Sequence, residues 1–154
     1  MNVHGTITKA KIDATTIRDL DDEQLYDLVY EKASQKDCGT FGEYFEDNDK
    51  DRLLQEIYAT AILDGEVRNG GFDQFFLNNE RLTDAAIAGL DLINAKKQRD
   101  LLIDARKIYN EQKKQFTDER NPNLDKFDEK YYELDEFYDA SMKFVRENIE
   151  RLFD

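Results

Sequence analysis

The chain has 154 residues, 40% of them apolar, with 10 Phe and 8 Tyr, which is enough for one compact core and too little for two. Its 35 acidic residues against 22 basic ones give a formal net charge of -13, a field that repels nucleic acid and attracts basic surfaces. A lone Cys38 excludes an intrachain disulfide or thiolate cluster and suits a reducing compartment, and a lone His4 with no triad partner argues against histidine-based nucleophilic catalysis.

Residues 1–16 lack periodicity and read as a flexible N-terminal arm, with Ile7 and Ile12 the candidates for docking. The arm carries Lys9 and Lys11 but no apolar signal region, and no stretch approaches the length of a membrane span, so a cytoplasmic protein without a membrane anchor is expected. Residues 17–154 read as a single helical domain. Asp21 followed by Gln24 forms a capping-box pattern, and Leu25, Leu28, Val29 and Ala33 make an apolar stripe on a helix to about Lys36. Between Asp37 and Asp51, Gly39, Gly42 and an acidic run interleaved with Phe41, Tyr44 and Phe45 predict a loop pinned by aromatics and a helix cap near Asn48 or Asp49. Leu53, Leu54, Ile57, Tyr58, Ala61 and Ile62 then repeat at helical spacing up to Asn69 and Gly70, where the chain must reverse. Gly70 is expected in the left-handed position after the helix, with Gly71 freeing the next turn. Phe72, Phe75 and Phe76 put three rings on one buried face of a short following helix.

Further on, Thr83 is expected to cap a helix through Leu92, with Ala86, Ile87, Leu90 and Ile93 buried and Ala85, Ala88 and Gly89 allowing close approach of a neighbour. Asn94 closes it. A long helix from about Lys96 to Phe116 carries Leu101, Leu102, Ala105, Ile108 and Tyr109 in register, and Pro122 marks the turn before the last segment. Leu134, Tyr138, Met142, Val145, Ile149 and Leu152 run at steps of three and four to the chain end. With no alternating strand pattern, the expectation is an all-α, single compact domain of about six or seven helices.

Asp47, Asp49 and Asp51 resemble the opening of a calcium loop, but the sixth position, which needs glycine, is Arg52, and the twelfth, which needs glutamate, is Tyr58. No metal and no cofactor are therefore expected. Residues 41–70 hold eight acids against three bases, whereas residues 71–110 hold six of each, so the excess charge gathers ahead of the double glycine. Carboxylates three or four apart on a helix stand about 5–6 Å from one another, close to the spacing of successive phosphates. Glu43, Glu46, Asp47, Asp49, Asp51 and Glu56 are thus the candidate partner-binding row. Glu66, Asn69, Gln74 and Asn78 read as a polar network that locks the turn, with no catalytic assignment.

Glu66, Asn69, Gly70, Gly71, Phe72, Gln74, Phe75, Phe76 and Asn78 together resemble the signature of a bacterial all-helical family of unknown function whose best-studied type is a DNA-mimic protein. A weaker likeness continues through residues 85–105 and 134–148, so that it covers roughly residues 50–154. The resemblance implies the helical fold and a structural role for the signature. Through its DNA-mimic type it also implies an acidic homodimer that occupies the DNA-binding surface of a helix-turn-helix transcription regulator. The expected function is non-catalytic binding of a basic protein, with no direct contact to nucleic acid or membrane. Two alternatives stand beside it: an immunity or toxin-neutralising protein whose partner is one basic enzyme, and a carboxylate-dependent enzyme using Glu66 or nearby carboxylates, which a well-formed pocket lined by Glu66, Asn69 and Gln74 would favour.

Overall fold

A computed structural model of the chain describes residues 14–35 and 49–153. They form α1 (Ala14–Arg18), α2 (Asp22–Gln35), α3 (Asp49–Asn79), α4 (Thr83–Leu92), α5 (Lys96–Gln112), α6 (Asp125–Tyr132), α7 (Phe137–Glu147) and α8 (Ile149–Phe153), with tight 3-10 turns at Glu80–Leu82 and Pro122–Leu124. Among the described residues there is no strand, and six helices have eight residues or more, seven once α3 is divided at a break at Gly71. The all-α expectation holds. No helix is long and apolar enough to cross a membrane. Ile7, Ile12, Cys38, Phe41, Tyr44 and Phe45 lie outside the described residues.

The long helix α3 is the axis on which the other elements pack, and it serves two apolar clusters, one through its start and the other through Ala59, Leu63, Val67 and the second leg. On the first leg, Leu53, Leu54 and Ile57 meet Leu25, Val29 and Ala33 of α2 and Met142, Val145, Ile149 and Leu152 of α7 and α8, and Ile17 of α1 closes the same cluster. On the second leg, Phe72, Phe75 and Phe76 are buried as the spacing predicts, against Leu90, Leu102, Leu124 and Tyr131. Each such ring contributes about 1.5–3 kcal/mol by leaving water. Geometry adds to this: Phe72 meets Tyr131 edge-on at 5.6 Å, and Phe76 stacks on Tyr109 at 4.6 Å.

Local signals set two of the helix ends. Asp21 Oδ1 accepts from the Gln24 amide at 2.8 Å and Gln24 Oε1 accepts from the Asp21 amide at 3.2 Å, a reciprocal capping box at the start of α2. Asn94 ends α4 in the left-handed region at φ 63°, a conformation that asparagine tolerates. Thr83 departs from expectation. It is the first helical residue of α4, and its hydroxyl donates to the Glu80 carbonyl at 2.6 Å, so it ties the helix to the preceding 3-10 turn instead of capping it.

Two further boundaries differ from the periodic reading. Helix α5 stops at Gln112, short of Phe116, because Gln112 Oε1 accepts from both Asn121 Nδ2 and Asn123 Nδ2 at 2.9 Å, which pins the helix end to the proline turn. The C-terminal run is not one helix: α7 begins at Phe137, and the chain breaks at Asn148 before α8. Phe137 takes the buried position, leaving Tyr138, expected in the stripe, 43% exposed.

Candidate functional site

Gly71 divides α3, with φ 82° and ψ 177°, a region of backbone space open only to glycine. Gly70 stays helical, so the special glycine is the second of the pair and not the first. A Cβ on Gly71 would lie 2.2 Å from Asp128 Oδ2, so the position is closed to side chains by contact as well as by conformation. The break leaves carbonyls unpaired at the end of the first leg and amides unpaired at the start of the second. Each set has a partner of suitable sign.

The Phe72 amide, first in the second leg, donates to Asp128 Oδ1 at 2.8 Å. Asp128 comes from α6 and is buried. The Arg120 guanidinium donates to Asp128 Oδ2 at 3.1 Å, to Asp125 Oδ1 at 2.6 Å and to the Gly70 carbonyl at 3.5 Å. An anion thus meets the positive end of one helix leg, and a cation meets the negative end of the other. Burial pushes the Asp128 carboxyl up; the Phe72 N–H and Arg120 pull it back in part, and Asp125 and Asp73 add to the rise.

The end of the first leg is stitched to α6 a second time. Tyr132 Oη donates to the Val67 carbonyl at 2.8 Å, the group whose helical partner would have been the amide of Gly71. Buried Tyr131 donates its hydroxyl to Asp64 Oδ1 at 2.7 Å, and burial followed by the Asp64 charge drives its phenol far above the ordinary range. Arg68 Nε binds the same Asp64 oxygen at 3.0 Å, its guanidinium lies 5.5 Å from the centre of the Tyr131 ring, and Nη2 donates to the Leu134 carbonyl at 2.9 Å.

Of the signature polar groups, Asn78 Nδ2 donates to Glu66 Oε2 at 3.0 Å and joins the two legs directly. Gln74 folds back so that its Oε1 lies over Gly70, where a Cβ would come within 1.9 Å. Asn69 is exposed on the surface. The corner therefore brings together the residues singled out from the sequence, Asn69 excepted, and adds Asp64, Arg68, Arg120, Asp128, Tyr131 and Tyr132, which sequence reasoning missed. Phe72 and Asp128 are 56 residues apart, and no local pattern links them.

Beside the corner runs an open cleft of about 700 Å³. One wall is Gly70 at the end of the first leg with Asp73, Gln74 and Leu77 of the second; the other includes Phe116 and Lys114 after α5. Leu77 is 78% exposed there. Gln74 lines this cleft, and Glu66 and Asn69 do not.

The carboxylate row is placed only in part. Glu43, Glu46 and Asp47 lie outside the described residues, as does the side chain of Asp49, while Asp51 is half-buried on the first turn of α3. Glu56 differs from the exposed position that the row supposes: it is 6% exposed, its carboxylate faces Arg52 Nε at 3.9 Å, and its backbone lies against Gly89 of α4.

No curated protein and no solved structure matches the chain. The family described as DMP19-like protein matches residues 48–148, a span that contains α3 through α7 with the whole corner. By that match the chain belongs to the DMP19-like protein family.

Proposed function

We propose that the protein is a non-catalytic binder that presents an acidic surface to a basic, DNA-binding protein and regulates it as a DNA mimic. The observation that carries this reading is a net charge of -13 on a chain whose signature groups are bonded within the fold: Phe72 to Asp128, Asn78 to Glu66, Gly70 to Arg120. The corner is thereby accounted for as architecture, and the surplus of carboxylates is the feature left for recognition.

The mechanism is competition. Carboxylates of this chain pair with Arg and Lys side chains that otherwise hold phosphates, so the complex forms quickly at low salt and excludes duplex DNA from the same surface. A tagged pull-down from host lysate at low salt, eluted by a salt gradient beside a charge-matched acidic control, tests it. Recovery of a basic DNA-binding protein that duplex DNA displaces is the expected result. Recovery of nothing beyond the control overturns the reading.

A further inference from the structure

Four of the chain's eight tyrosines form a strip across three helices. Tyr138 of α7 lies 5.8 Å from Tyr26 of α2, Tyr30 follows one helical turn later, and Tyr30 lies 5.0 Å from Tyr58 of α3, all between ring centres. Tyr30 is 38% exposed and Tyr138 43%, while Tyr26 and Tyr58 are partly buried and fix the strip to the body of the molecule. Half-exposed rings aligned in this way are unusual on a strongly charged surface, where solvation favours carboxylates and lysines; tyrosine and arginine instead concentrate where proteins meet.

The field around the strip is negative. Burial pushes the Tyr138 phenol up, and the carboxylates of Asp22, Glu23, Asp21 and Asp27 push it further in the same direction. Tyr26 is raised to about 12, first by burial and then by Asp64. Tyr26 and Tyr138 are therefore neutral at physiological pH and sit among anions. The chain already uses this chemistry at the edge of the strip: Arg146 of α7 donates to Asp22 Oδ1 at 2.7 Å and to the Leu20 carbonyl at 3.0 Å. Its guanidinium spans the gap between α7 and the start of α2.

We propose that the tyrosine strip seats an arginine-bearing segment of a cationic protein partner, with a guanidinium stacked on Tyr138 and its N–H groups directed to Asp21 and Glu23, while Tyr30, further along α2, extends the contact to the next side chain of that segment. This rests on the reading that the partner is basic, and it specifies where and by which side chain that partner is held. Arginine is selected over lysine because its planar, weakly hydrated head both stacks on a ring and forks to a carboxylate, whereas an ammonium group does so only as a point charge.

The test uses the full chain with an oligoarginine and an oligolysine peptide of equal length at low salt, read by backbone amide shifts and by titration. Oligoarginine should bind roughly two- to fivefold more tightly, the factor that a cation–π contact of about 0.5–1 kcal/mol gives at an exposed site, and the shifts should centre on α2 and α7. Tyr138→Ala should remove the preference and Tyr138→Phe should keep it, with thermal unfolding verifying that both are folded. Tyr30→Ala serves as the second variant should Tyr138→Ala unfold. Equal affinity for the two peptides, a preference that survives Tyr138→Ala and Tyr30→Ala, or shifts centred on the cleft beside the corner would overturn the strip and leave the basic-partner reading standing. Self-association through the same rings, seen as concentration-dependent shifts without peptide, would also overturn it. Binding of neither peptide would overturn both.

Discussion

Gly71 and Gly65 lie in the same long helix under opposite constraints. Gly71 adopts a conformation that side chains do not take and faces Asp128 at a distance a Cβ cannot share, whereas nothing lies within 4 Å of a Cβ on Gly65. Gly71→Ala should therefore lower stability by about 3 kcal/mol or more, combining backbone strain with overpacking. Gly65→Ala should raise it by about 0.5–1 kcal/mol through helix propensity. Urea midpoints at constant slope measure both, and similar small shifts at the two positions would contradict the account. Asp128→Ala strands the Phe72 amide and part of Arg120, a loss of about 2–4 kcal/mol, whereas Asp128→Asn keeps an acceptor for the amide and should lose less. The same pair separates charge from hydrogen bonding. Burial raises the Asp128 carboxyl in the folded state above its unfolded value of about 3.9, so the fold holds that proton more tightly and the contribution of Asp128 to stability falls as pH rises from one value to the other. Wild type should accordingly lose ground to Asp128→Asn as pH is raised through the acidic range. A gap that moves in favour of wild type over that interval would show that the Phe72 amide and Arg120 outweigh burial.

At the scale of helices, α4 crosses α3 at Gly89, where a Cβ would lie 2.4 Å from the Glu56 carbonyl and 2.5 Å from Thr60 Cγ2. The blocking atom at Glu56 is backbone, so one helix must move for an alanine to fit. Gly89→Ala should destabilise by about 1–3 kcal/mol although alanine is the better helix former, because overpacking outweighs propensity; a thermal midpoint unchanged or raised would mean that the helices separate freely. The small-residue stripe behind this crossing was legible in the sequence because it is local, as were the Asp21–Gln24 box, the ring face of Phe72, Phe75 and Phe76, and the stop at Asn94. Errors arose where a distant partner decides. The second glycine became the special one because Asp128 of α6 reaches it, α5 ended early because Asn121 and Asn123 hold Gln112, and Thr83 turned backward to Glu80. The even spacing of residues 134–152 concealed a break because Phe137, not Tyr138, entered the core. Periodicity identifies a face, but the core selects the register.

At the scale of the whole molecule, most arginines among the described residues are paired with the chain's own acids. Arg18 pairs with Glu150, Arg68 with Asp64, Arg99 with Asp91 and Asp100, Arg106 with Asp84, Lys113 with Glu80, Arg120 with Asp125 and Asp128, and Arg146 with Asp22. Most of these pairs are solvent-exposed and contribute about 0–1 kcal/mol each, so they matter less for stability than for the potential a partner meets. Pairing draws arginine heads onto carboxylates and leaves the excess of 35 acids over 22 bases to dominate at a distance. Folding and binding should then respond differently to salt. Raising ionic strength from about 0.1 M to about 1 M shortens the screening length from about 10 Å to about 3 Å, which should slow association with a cationic partner by an order of magnitude or more while the thermal midpoint of the isolated domain barely moves. Asp47, Asp49 and Asp51 replaced together by Asn should reproduce part of that loss at low salt without unfolding the domain. Stopped-flow association rates across a salt series, for wild type and the triple variant, measure both effects. An unchanged affinity in the triple variant would remove the start of α3 from the binding surface, and a wild-type rate indifferent to salt would mean that the surplus charge does not steer the partner at all.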